Sequence, residues 1–479
     1  MIRNYSSDKI FYSLLSVIFI ALSIVAFTTD GTGGGGDSIA HFLIARYSWQ
    51  HHALLLDHWG KPLFTIFSST FAQFGFHAVK FFNILVTCLA VHFTYQTAKQ
   101  LKIQNAVWIV LLCFLAPENY IVTFSGLTEP LFALVLILGV YFIVKGNTLS
   151  GIIILSFLPF ARSEGLVILC LIFVYLLFTK KYKFIPWILF GHLFMGVAGI
   201  FVYHDILWVF NKIPYARLDS VYGHGGWKHF VVHLYFIIGP VLYFLLLTAC
   251  VTLLINYKSN FKTVFSDKIF SDKIFLIYGN FLLFLFAHSA FWALGIFGSL
   301  GLSRVFVGII PIMAIISLEG MNVFLDLLEN YQLSKYKRAF SVIILVGMIF
   351  FCFINEITFI DYKHGFVLNE DQKVVAHEIV PYIKKKFPTH EIHYSDVGFA
   401  YFFDLDIYGN KGYYRLSDGL RNNTLDSNHL IIWDSWFSRV EEKFTMQDML
   451  SKPYLKQDTS FTAVLSNSDT INYIIFTKR

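Results

Sequence analysis

The stretch LSGIIILSFLPFARSEGLVILCLIFVYLLFT (Leu149–Thr179) is apolar throughout except at Arg162-Ser-Glu-Gly165. A bilayer core of about 30 Å takes about 20 residues of helix, so the whole stretch is too long for one straight crossing. Two short spans, 149–162 and 164–179, turn at the charged tetrapeptide. One long kinked segment is the alternative, and it would reverse the sidedness of everything downstream. The same ruler applied outward from here marks eleven spans: 10–27, 78–98, 105–123, 129–145, these two, 184–204, 229–256, 275–295, 304–320 and 340–359.

Composition agrees with a polytopic helical membrane protein. Of 479 residues, 56% are hydrophobic and only 14% charged, against about 45–50% and about 25% in soluble domains. With 53 Phe and 26 Tyr the aromatic share reaches 18%, and the mean hydropathy is +0.61. Disordered chains and disulfide scaffolds are excluded by these values. The formal charge of +6 is small for the length, and it reads as loop lysine and arginine rather than as a nucleic-acid surface. Five scattered cysteines form no CxxC and no zinc pattern. The basic start (Arg3, Lys9) and the run Ile10–Phe27 lack a small-x-small cleavage site, so this segment reads as a retained first span.

Loop charge orients the chain. One set of alternate loops carries Arg3, Lys9, Lys99, Lys102, Lys145, Lys180, Lys181, Lys183, Lys258, Lys262, Lys268, Lys273, Lys335, Lys337 and Arg338. The other carries Arg46, Lys61, Arg162, Lys212, Arg217, Lys228 and Arg304. The positive-inside rule then places the N-terminus in the cytoplasm and, after eleven spans, the C-terminus outside. Residues 1–360 form the membrane domain, with a long first outer loop at 28–77, and 361–479 a soluble outer α/β domain. In that tail the pattern predicts a helix at 369–387 and strands at 391–395, 429–433, 460–466 and 471–477. Within the first loop, Ile39, Phe42, Leu43, Arg46, Tyr47 and Gln50 share one face, as in a helix lying in the membrane interface. The thrice-repeated SDKIF (Ser7–Phe11, Ser266–Phe270, Ser271–Phe275) sits on cytoplasmic borders and reads as a duplication in a tolerant loop.

Polar groups gather on the outer side. Asp37 follows Gly33–Gly36; it is either a general base presented at the membrane surface or an N-cap for a helix starting at Ser38. In Asp57-His-Trp-Gly-Lys-Pro-Leu-Phe64, Trp59 and Lys61 suit interfacial anchoring, and Lys61 also suits an anionic headgroup. Glu129 before Pro130 fits a helix N-terminus as well as a catalytic site, and Glu118 is equally open. Arg162 and Glu164 interrupt an apolar stretch, where a charge costs about 2.5–3.5 kcal/mol at mid-membrane, so they form either a surface pair or the lining of a functional cavity. Arg304 opens the tenth span on the side poor in basic residues and invites an anionic partner. His229 and His233, with His224 upstream, have helical spacing but no carboxylate to complete a metal site. Walker, Rossmann and kinase signatures are absent.

Taken together, Gly36-Asp37, Trp59-Gly-Lys-Pro62, Thr128-Glu-Pro-Leu-Phe132, Arg162-Ser-Glu-Gly165 and Ser303-Arg304 with Pro311 resemble the GT-C superfamily of polytopic glycosyltransferases. The likeness is to the branch of dolichyl-phosphate-mannose protein mannosyltransferases and lipid A aminoarabinose transferases, and it covers about the first 320 residues. Where that family often has two adjacent acids, Ser38 follows Asp37 here. The resemblance implies inverting transfer of a sugar from a polyprenyl-phosphate donor to a protein, lipid or glycan acceptor on the outer face of a bacterial inner membrane. Asp37 would be the catalytic base, and Lys61, His58, Glu129, Arg162, Glu164 and Arg304 would bind the donor, with no metal or other cofactor assigned. A transporter or flippase, with Arg162, Glu164 and Glu129 lining a path, is the rival class; such proteins often carry inverted repeats, and none is visible here.

Overall fold

Hydrocarbon offers a backbone amide no water to bond, so apolar runs close their hydrogen bonds within helices. The computed structural model describes residues 2–214, 220, 222–255, 267–353, 366–409, 414–417, 420, 425, 428–465 and 468–478. Arg217, Lys258, Lys262, Ser266, the end of the eleventh expected span and the 360/361 border lie outside these residues.

Every expected span coincides with helix: α1 (Ile2–Thr28), α4 (Phe76–Gln100), the pair α5 (Ala106–Phe114) and α6 (Pro117–Thr123), and α7 (Glu129–Lys145). They continue as α8 (Thr148–Ala161), α9 (Gly165–Phe178), α10 (Tyr182–Tyr203), α11 (His229–Ile237) with α12 (Gly239–Ile255), α13 (Lys268–Leu294), α14 (Ser303–Asn330) and α15 (Lys337–Cys352). The first loop adds α2 (Gly35–Tyr47) and α3 (Pro62–Ala72). The protein is therefore membrane-embedded and mostly helical, but helix is not the same as crossing. Five helices (α1 from Ser7, α4, α10, α13 and α14) are long and apolar enough to span singly, and six segments qualify if α5 and α6, bent by 70°, count as one. A 14-residue helix such as α9 rises only about 21 Å at 1.5 Å per residue, short of the bilayer core. Lengths alone support five or six spans, fewer than the eleven that periodicity marks.

Burial sorts these helices. Val17, Ile20, Ile24 and Phe27 of α1 are exposed, as lipid-facing residues are, whereas Ile312, Ile315, Ile316 and Leu318 of α14 are fully buried. Small residues permit the closest approaches, as membrane helices require. A Cβ on Gly320 of α14 would lie 1.9 Å from the Leu245 carbonyl oxygen of α12.

Helix α2 departs from expectation. Phe42 is 0% and Leu43 1% exposed, and Ile44 and Ala45 on the opposite side are buried too, so it is a core helix and not an interfacial one. Lys80 on α4, fully buried, donates to the carbonyls of Thr29 and Gly31 and fixes the chain where it enters the glycine run. The repeat is not idle either. Asp272, 1% exposed, accepts from Tyr175 at 2.6 Å and pairs with Lys268 at 2.9 Å.

The C-terminal unit carries its expected helix as Glu370–Val374, Val375–Ile379 and Val380–Lys386 in succession, followed by a five-stranded sheet. Its strands are β1 (Glu391–Tyr394), β2 (Tyr414–Arg415), β3 (His429–Asp434), β4 (Leu455–Val464) and β5 (Thr470–Lys478), in the order β2-β1-β3-β5-β4. β2, β1 and β3 are parallel and β5 is antiparallel to both its neighbours, with a bulge at Gln457/Thr459. The unit sits on α2: Tyr401 packs edge-on against Phe42 at 5.7 Å, and Gln372 bonds Thr32 at 3.0 Å. The ion pair Arg46–Asp404 (2.9 Å) and the hydrogen bond between His51 and Asp406 (2.7 Å) add polar contacts at the rim. Exposed pairs contribute about 0–1 kcal/mol, and a buried Phe about 1.5–3, so the aromatic contact dominates the docking.

Gly320→Val is expected to force α12 and α14 apart and lower the thermal unfolding midpoint in detergent, by the equivalent of about 1–3 kcal/mol or more. Gly347→Ala, whose added methyl would meet only the Val241 side chain at 3.1 Å, should shift it far less. Equal midpoints for the two variants would show that the α12–α14 contact is not tight.

Candidate functional site

The glycine run explains its own composition. Gly33 has φ +64°, and a Cβ there would lie 2.7 Å from the Phe124 carbonyl oxygen. The loop before α7 is pinned in turn: Asn83 donates to the carbonyls of Ser125 (2.7 Å) and Leu127 (3.0 Å), and the Gly126 amide donates to Ser38 Oγ at 2.6 Å. Ser38, next to Asp37, thereby ties the start of α2 to the start of α7.

Asp37 consequently lies in the first turn of α2, behind an N-cap at Gly34, and caps nothing. Its carboxylate pairs instead with the guanidinium of Arg304, which opens α14. The capping alternative fails because the helix begins two residues before Asp37. Arg304 Nε lies 3.6 Å from Glu129 Oε1, and Arg162 Nη1 lies 2.7 Å from the same oxygen. Glu129 is fully buried between the two arginines, ion-paired but without a well-formed hydrogen bond on either oxygen. Arg162 also holds Glu164 at 2.8 Å and Thr128 Oγ1 at 3.1 Å. With Arg162 only 16% exposed, the surface-pair reading is excluded. Lys61 Nζ donates to Ser163 Oγ and to the His58 carbonyl oxygen, both at 3.2 Å.

Six of the seven expected site residues thus share one centre. His58 is the exception, since its Nε2 turns away to the Val209 carbonyl (2.9 Å) and only its backbone faces Lys61. The structure adds residues that sequence did not single out. His41, one turn after Asp37, stacks on Trp59 at 4.6 Å. His288 of α13 is buried within electrostatic reach of Glu164 and Arg162, and its Nε2 has no hydrogen-bond partner among the described residues. Glu118, which the sequence left open between a helix N-terminus and a site, lies within electrostatic reach of Arg304 and Glu129.

The C-terminal unit roofs the centre. Val397 and Phe437, just past the ends of parallel strands β1 and β3, come to 3.6 and 3.5 Å of where a Gly36 Cβ would be, and Glu441 accepts from the Tyr222 hydroxyl at 3.2 Å. The electrostatics follow from this packing. Burial is the largest single influence on Asp37 and opposes its ionisation, but the charge and hydrogen bond of Arg304 and the other positive groups around it together hold the carboxyl below its usual range. Burial lowers His41 to about 3 against the pull of Asp37, so the imidazole is neutral. Burial also lowers Lys61 to about 8, which leaves it charged at neutral pH and close to titration.

No family model matches the chain, nor does any curated protein or solved structure. The geometry therefore stands on its own. Elsewhere, no group of three metal-ligating side chains occurs among the described residues. His229 Nε2 is bonded to the Gly301 carbonyl (2.8 Å) and His233 Nδ1 to that of His229 (2.7 Å). A cavity of about 280 Å³ lies elsewhere, beside the ion pair Lys273–Glu319 and Lys102.

Glu129→Gln is expected to leave two arginines facing each other in a buried site and to cost about 3–5 kcal/mol, seen as a large drop in unfolding midpoint. A near-native midpoint would show that the arginines do not depend on this carboxylate.

Proposed function

We propose that this protein is a membrane glycosyltransferase of GT-C type, transferring a sugar from a polyprenyl-phosphate donor to an acceptor hydroxyl or amine by an inverting displacement. The observation that carries this reading is the convergence of the acid after the glycine run (Asp37) with Arg304, Arg162 and Lys61 in one roofed centre. Such chemistry needs little else. The acceptor's lone pair forms a bond to the sugar's anomeric carbon while the carbon–oxygen bond to phosphate breaks, its electron pair leaving on the phosphate. Asp37 takes the acceptor's proton. The leaving phosphate is already a weak base, so it needs charge neutralisation rather than protonation, and the guanidinium groups with Lys61 supply it. Neutral His41 beside Asp37 offers a second polar contact to the acceptor. A roof over the centre favours chemistry over passage, which supports a transferase rather than a transporter.

The same reading places the centre at the outer boundary of a bacterial inner membrane, with the lipid tail between helices and eleven crossings in all. Lysine asymmetry between alternate loops supports this sidedness. A reporter fused after Arg479 should then be active only outside the cytoplasm, and a cytoplasmic signal would overturn the topology.

Asp37→Asn should lower turnover of a polyprenyl-phosphate sugar by about 10²–10⁴-fold, the usual worth of a general base, with the unfolding midpoint nearly unchanged. Full activity of the purified variant in proteoliposomes would remove Asp37 from the base role and pass it to Glu129 or Glu164.

A further inference from the structure

Three cations (Lys61, Arg162, Arg304) meet three carboxylates (Asp37, Glu129, Glu164) at the centre, with Glu118 and Glu441 within electrostatic reach of its members. A site so compensated has no net positive charge to offer an arriving phosphate. An anion can bind only if a resident carboxylate gives up its partner, because two anions cannot share one guanidinium at full strength in a poorly solvated site.

The three carboxylates differ in their ability to yield. Glu129 is 0% exposed and clamped by two arginines, and Glu164 is 16% exposed and held by two nitrogens of Arg162. Asp37 is 47% exposed and pairs with one guanidinium nitrogen. Two residues before it, Gly35 sits at φ +58° with no atom within 4 Å of where a Cβ would lie, so the space beside this turn is open.

We propose that Asp37 is the resident competitor for Arg304, and that a lipid-borne phosphate displaces it. Resting on the transferase reading above, this makes donor capture and base activation one event. While Arg304 holds Asp37, the carboxylate is a poor proton acceptor; once the phosphate takes the guanidinium, Asp37 is released beside the sugar with its basicity restored. Donor must then bind before acceptor is deprotonated, and water reaching an empty site meets no active base.

The test is binding of farnesyl monophosphate, with farnesol as the uncharged control, to the full-length protein in detergent. A competitor that closes the site nine-tenths of the time weakens apparent affinity about tenfold. Asp37→Asn should therefore bind farnesyl monophosphate about tenfold tighter than wild type although its turnover falls, and Asp37→Ala should do the same if the Asn variant folds poorly. Farnesol binding should not change. Affinity in the variants equal to or weaker than wild type would overturn the competition. If neither wild type nor variants prefer the phosphate to farnesol, the centre does not take lipid phosphate and the transferase reading itself falls.

Discussion

A buried guanidinium must find a carboxylate, and this requirement organises the membrane half of the molecule. Glu129 between Arg162 and Arg304, with Asp37 and Glu164 at the two ends, forms one chain of charge. Its members come from α2, the start of α7, the turn between α8 and α9, and the start of α14. Desolvating any one of them alone would cost several kcal/mol. Together they specify which helix ends meet, a task that lipid-like packing surfaces perform poorly because one apolar face resembles another. The hydrophobic helices supply the volume, and the ionic chain supplies the register.

The members of that chain were legible in the sequence because a charge inside an apolar run is conspicuous by itself. Arg162, Glu164, Arg304 and the acid after four glycines needed no structure to attract notice. Their pairing was not legible, since 267 residues separate Asp37 from Arg304 and no local pattern encodes that distance. His41 was missed, and Ser163 and Thr128 were quoted in their motifs without a role, for the opposite reason: each is an ordinary polar residue in an ordinary context until a neighbour's charge gives it a role. His58 misled because it adjoins Lys61 in the chain, while its ring packs on Trp208 at 5.7 Å and leaves only its carbonyl to the site.

Helix positions were read well, but the number of crossings does not follow from them. Apolar periodicity reports where backbone must be helical, but length decides what a helix can traverse, and breaks such as the 70° bend between α5 and α6 leave no mark beyond Pro117. The amphipathic reading of α2 failed because a face that suits the membrane interface also suits the underside of a folded domain. In the C-terminal unit the long strands showed their alternation. The two-residue β2 is too short to display a period at all.

The sheet order β2-β1-β3-β5-β4 carries a temporal consequence. β5 lies between β3 and β4 although it follows both in the chain, so the two halves of the sheet are joined only after both have been made. Until it emerges, the parallel part has an open edge and β4 has no neighbour among the described strands. The helices that hold the arginines are already made by then. During biogenesis the charged centre therefore exists first as an uncovered cleft, and its cover closes only after the C-terminal unit, which follows all of these helices in the chain, has been made.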